Sequence, residues 1–246
     1  MAKPPANAKL SLFERFSRFS MHALEAHPET GGRAALASGS LYQIKAYRRE
    51  LKRADNLILA ARAAVAYWDV RLDATIKAVG AAARAAEAND VRVKLLGVLF
   101  GNKTPSEVIK PTGVGLGREV ADAKSILNAF DILPTLAAES VLALADRLRA
   151  DIEGAQAAVD RLEQALAHRE LIARKKPALK QEVRDAFDRL EGQLLDQFPG
   201  QRDLVASFFL PSDLLRAAGD DDDVDEDDDA DEAEGGVGGA AASAKK

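Results

Sequence analysis

The most constraining feature of this sequence is a seven-residue apolar ladder that begins at Ile44 and continues unbroken for six repeats. Ile44, Leu51, Ile58, Val65, Leu72 and Val79 stand seven apart, and Tyr47, Ala54, Ala61, Trp68, Thr75 and Ala82 each follow three residues later. Steps alternating between three and four residues fall on one face of a helix turning every 3.6 residues, whereas a strand would scatter them over both faces. The ladder therefore predicts a helix over about 38–88, a rod roughly 75 Å long at 1.5 Å per residue. The flanking positions Arg48, Asp55, Arg62 and Asp69 alternate in sign, as charges beside a helix–helix seam do. Such a rod needs a partner of similar length.

A second ladder supplies one. Val141, Leu148, Ala155 and Leu162 form one series, and Ala145, Ile152, Val159, Leu166 and Ala173 the other. This register is read as beginning after Arg118, running through Val120, Ala123, Leu127 and Phe130, and kinking or restarting at Pro134, which lacks a backbone donor. Lys175-Lys176-Pro177 is read as its end. With a compact connection between the rods, the cheapest pairing is an antiparallel helical hairpin within one chain. The association seam then comprises Ile44, Tyr47, Leu51, Ile58, Val65, Trp68, Leu72 and Val79 on one rod, against Val141, Leu148, Ile152, Val159, Leu162 and Leu166 on the other.

Shorter amphipathic segments surround the rods. Phe13, Phe16 and Phe19 put an aromatic stripe on a helix ending near His27-Pro28, after a flexible start over Met1 to Lys9. Val91 to Phe100 is apolar and short, Thr104-Pro105-Ser106-Glu107 is a capping box with proline at the first helical position, and Thr112 to Gly117 is a glycine-rich loop. Val183, Phe187, Leu190, Leu194 and Phe198 mark another helix, and Leu204 to Leu210 a further apolar element. The fold class is all-α: an elongated antiparallel hairpin or coiled coil, with short helices making a three- to five-helix bundle at one end. Residues 1–32 form the start and the Phe-rich helix, 33–219 the hairpin and bundle, and 220–246 a tail.

Composition supports the helical reading, since only 5% of the side chains are aromatic. Charge is unevenly placed. Asp220 to Glu234 holds 12 carboxylates with Lys245 and Lys246 the only bases beyond, leaving 32 bases and 27 acids in residues 1–219. The body thus carries about +5 and the tail about −10, and a run so dense in like charge is expected to stay disordered.

Several function classes fall away. With 0 cysteines there is no thiolate chemistry, iron–sulfur cluster or Cys-based zinc site. None of the three histidines, His22, His27 and His168, has a glutamate three residues before it, as a di-metal bundle site would require. Gly113-Val-Gly-Leu-Gly117 resembles a phosphate cradle but lacks both the preceding strand and the Gly-Lys-Ser/Thr of a nucleotide loop. No catalytic residue, cofactor or metal is therefore expected, and the acidic tail lacks the sixth-position glycine of a calcium loop.

The remaining expectations concern association. The chain reads as a non-enzymatic structural or adaptor protein acting by helix–helix contact, through a protein partner or self-association into an oligomer, with the tail as a solubilising or regulatory element or a ligand for a basic partner. An alternative is nucleic-acid binding by the basic body, with Arg48, Arg49, Lys52 and Arg53 as candidate phosphate contacts and the tail as an autoinhibitor. A third is a lipid boundary or partner taking up Phe13, Phe16 and Phe19, set against the more common outcome that such a stripe packs on the bundle itself. The absence of a ~20-residue apolar run or a secretory leader makes a cytoplasmic protein without a transmembrane segment the expectation.

Overall fold

The computed structural model describes residues 3–89, 94–109, 115–133, 139–211, 213 and 214. The acidic tail, Pro134 and most of the glycine-rich loop lie outside the described residues. The elements run α1 (Leu10–Ala26), a 3-10 turn (Gly31–Arg33), α2 (Ala34–Asn89), α3 (Leu95–Phe100), α4 (Pro105–Val108), α5 (Leu116–Phe130), α6 (Glu139–Arg174), α7 (Lys176–Gln197) and α8 (Arg202–Ser207). Among the described residues there is no strand.

The 56 residues of α2 make a rod about 84 Å long. Its partner is α6 continued by α7. Lys175, which reads from sequence as a terminus, keeps helical angles (φ −74°, ψ −19°), and its amide donates to the Ile172 carbonyl at 2.9 Å. Pro177 sits in the first turn of α7, where its missing amide would have had no helical partner, so the helix resumes one residue after α6 ends. The pairing is antiparallel in a constant offset. Arg71 meets Asp151, Trp68 covers Gly154, Asp55 meets Arg169 and Glu50 meets Lys175, each pair of residue numbers adding to between 222 and 225.

The short helices do not gather at one end, as the sequence suggests, but divide between both. One core joins α1, the first third of α2, Ile172, α7 and α8 around Phe16, Phe187 and Phe209. The other joins Leu72 to Ala83 of α2 with α3, α4, α5 and Val141 to Ala155 of α6. Chain order explains the division: α3, α4 and α5 belong to the connection between the rods, whereas α1, α7 and α8 lie near the termini. Between the two cores runs a neck in which Ile58 and Ala61 of α2 and Ala158 and Ala165 of α6 are buried and, among the described residues, two helices meet.

Two further differences follow from packing. The start of the chain is tied down from Lys3 on: Pro4 is buried, Lys3 pairs with Asp188 and Glu191 on α7, and Lys180 donates to the Ala8 carbonyl. The second rod does not begin after Arg118. Instead α5 is a separate helix whose Val120, Ala123, Ile126, Ala129 and Phe130 pack into the second core. The capping box at Thr104 forms as the sequence indicates, with the Glu107 amide donating to the Thr104 hydroxyl and the Thr104 amide to the Glu107 carboxylate. Gly80 faces Pro105 so closely that a β-carbon there would lie 2.5 Å from the proline ring, which fixes α4 against α2.

Candidate association surface

The inward face of α2 follows its heptads. Ile44, Tyr47, Ile58, Leu72 and Val79 are buried, and Leu51, Val65 and Trp68 are half-buried towards the partner rod. On α6, Val141, Leu148 and Ile152 are buried and Val159 and Leu162 half-buried, but Leu166 is 44% exposed. Beyond Ala155 the buried series is Ala158, Ala165 and Ile172, one residue before the ladder of Val159, Leu166 and Ala173. Alanine at these places lets the neck helices approach more closely than leucine would, and the larger side chains rotate to the flank. The bulky residues dominate the apolar pattern of the sequence, and the buried register lies one residue before them.

A polar node interrupts the seam where the neck meets the second core. Asp151 is fully buried; Arg71 Nε donates to its Oδ1 at 2.6 Å, and the Thr75 hydroxyl donates to its Oδ2 at 2.6 Å. Arg147 stands 3.9 Å away on the same helix. The Arg71 guanidinium also donates to the Tyr67 hydroxyl at 3.1 Å and lies 5.2 Å from the centre of the Trp68 ring. The Tyr67 and Asp151 hydrogen bonds push its pKa up. A buried carboxylate satisfied from the opposite rod penalises any slip of the pairing, since a slip would leave the charge unpaired.

A second group of carboxyls lies close by. Glu119 on α5 is buried, its Oε1 has no hydrogen-bond partner among the described residues, and its pKa is pushed up to about 8. Burial is the main cause, with Asp73 and Asp69 of α2 adding to it. A carboxyl held against two aspartates away from water is most stable protonated. Among the described residues no group of three or more histidines, cysteines, aspartates and glutamates is arranged to hold a metal ion.

The outward face of α2 carries features of its own. Lys45, Arg48, Arg49 and Lys52 follow at helical steps, and Leu59, Ala63, Ala66, Tyr67, Val70 and Ala74 continue along the same side, all of them exposed. Leu59 is 68% and Val70 70% exposed. Leu59, Ala63 and Ala66 lie on the neck, opposite the buried seam, and Tyr67, Val70 and Ala74 carry the stripe on beside the second core. Their spacing of four, three, one, three and four was legible in the sequence, but the stronger inward ladder masked it. Of the candidate phosphate contacts, Arg48, Arg49, Lys52 and Arg53 are all exposed, and Arg48 pairs with Glu14 of α1 at 2.9 Å.

The aromatic stripe of α1 turns inward. Phe13 and Phe16 are buried and Phe19 is half-buried. Phe16 meets the Phe187 ring edge-on at 4.7 Å and stacks with Phe209 at 6.2 Å, which ties the stripe into the first core. Among the described residues no helix is long and apolar enough to cross a membrane. No family model, curated protein or solved structure matches the chain.

Proposed function

We propose that this is a non-enzymatic structural or adaptor protein that acts by helix–helix association, with the outward face of α2 on the neck as its contact surface. The observation that carries the reading is the exposed stripe that starts on the neck with Leu59, Ala63 and Ala66 and runs on through Tyr67, Val70 and Ala74 beside the second core. The inward seam is already occupied within the chain, so association has to use the other side. Ala63, Ala66 and Ala74 permit close approach, and Leu59, Tyr67 and Val70 supply apolar area. A third and fourth helix laid along the neck would complete a bundle of ordinary cross-section. Under this reading the acidic tail is a solubilising or electrostatic regulatory element.

Light scattering over a concentration series tests the proposal, using the full chain and Leu59→Glu/Val70→Glu. The expected result is a mass above one chain that rises with concentration and falls to one chain in the variant. A parent that stays monomeric throughout and retains no helical partner would count against it.

The basic outward face at Lys45 to Arg53 favours a second reading, in which the helical body binds nucleic-acid phosphates and the tail competes with them. A gel shift at low salt separates the two, because charge-reversed Arg49→Glu/Arg53→Glu would lose binding that Leu59→Glu/Val70→Glu keeps.

A further inference from the structure

The basic stretch of α2 is under electrostatic stress. Lys45 and Arg49, Arg48 and Lys52, and Arg49 and Arg53 are three like-charged pairs four residues apart, an arrangement that disfavours the helix. All five cations are exposed between positions 45 and 53, about 12 Å of helix. Glu14 offers one carboxylate to Arg48, while Lys45, Arg49 and Arg53 have no carboxylate partner among the described residues. Elsewhere in the same chain, residues 220–234 crowd 12 carboxylates that repel one another just as strongly.

We propose that the acidic segment 220–234 docks on the basic outward face of α2 in its own chain, covering Lys45, Arg48, Arg49, Lys52 and Arg53. It deepens the reading of α2's outward face as the working surface by naming what regulates its basic end. The root of the segment leaves the first core next to α1, the helix that flanks this face. Phe209 and Leu210 are buried in the first core, Phe209 stacks on Phe16 of α1, and Glu14, half a turn earlier on α1, accepts from Arg48. Leu214, the last described residue, stands six residues before Asp220, a reach of at most about 20 Å. A segment tethered so closely reaches an effective concentration of about a millimolar, which favours docking in its own chain over docking in another copy. Because the attraction is between exposed charges, it weakens steeply as salt shortens the screening length from about 8 Å to about 3 Å.

Carbodiimide cross-linking, which joins a carboxylate to a lysine amine in contact, tests this on the full chain mixed one-to-one with its 15N-labelled form. Residues 220–234 should link chiefly to Lys45 and Lys52, within a single isotope. The yield should drop severalfold in 1 M salt, which needs no variant, and again in Arg49→Glu/Arg53→Glu, with circular dichroism checking its fold. The proposal is overturned if the segment links equally to Lys77, Lys103 and Lys124, if mixed-isotope links predominate, or if no link forms at low salt. Failure of helix–helix association in light scattering would leave this pattern unchanged, so the two readings fail separately.

Discussion

The α-carbon of Gly154 on α6 lies beneath the indole of Trp68 on α2, so close that a β-carbon built there would sit 2.4 Å from two of the ring carbons. This contact marks the upper end of the neck, where a large side chain on one rod is accommodated only by the absence of one on the other.

Gly154→Ala should therefore destabilise the protein by about 2 kcal/mol through overpacking, despite alanine's better helix propensity. Gly192, on the exposed side of α7, has nothing within 4 Å of a β-carbon, and Gly192→Ala should stabilise by about 0.5–1 kcal/mol. Urea unfolding of both variants gives the comparison, and equal signs would contradict the packing described for Trp68.

Removal of the buried carboxylate should be costly or cheap depending on what replaces it. Asp151→Ala strips Arg71 and Thr75 of their acceptor and leaves a cavity, a loss of about 3 kcal/mol. Asp151→Leu refills the space with apolar volume and should recover much of that loss. Chemical denaturation measures both. In Asp151→Leu the offset of the two rods is no longer held by a charge, so spin-label distances between α2 and α6 should broaden.

Glu119 should make stability fall as the solution becomes more alkaline. Its folded pKa of about 8 lies above the ordinary 4.5, so the folded state binds its proton more tightly than the unfolded state does. The resulting stabilisation is complete below about pH 4.5 and is lost as pH rises through about 8. Glu119→Gln keeps a neutral side chain at every pH. Its urea midpoint should lack this decline and exceed that of the parent at pH 9, and parallel profiles for the two proteins would contradict the protonated carboxyl.

The corrected register can be read out directly. Leu148→Ala, at a fully buried seam position, should cost about 3 kcal/mol, whereas Leu166→Ala should cost under about 1 kcal/mol because Leu166 is largely outside the seam. Ala165→Glu, one residue away, should be severely destabilising where Leu166→Glu is tolerated. Thermal unfolding by circular dichroism distinguishes all four.

Much of the architecture was legible because a helix writes its buried face into the sequence at a fixed period. The heptads of Ile44 to Val79 located α2 to within a few residues, and Thr104 to Glu107 announced the start of α4 through local hydrogen bonding alone. Phe13 and Phe16 carried an ambiguous signal, because an aromatic stripe looks the same whether it meets a protein core or something outside. The one-residue shift to Ala158, Ala165 and Ile172 was not legible: alanine carries little hydrophobic contrast, and Leu166 offered the stronger pattern.

The sequence by itself determined that the chain is helical, that two long helices carry complementary apolar faces, and that charge is split between body and tail, since periodicity, propensity and charge are local properties. Only the tertiary structure decided which residue of a candidate pair turns inward, that the short helices divide between both ends, and that Asp151 and Glu119 are buried. Those outcomes depend on side chains about 50 to 80 positions apart, Arg71 and Thr75 about Asp151 and Asp69 and Asp73 about Glu119, which no local pattern records.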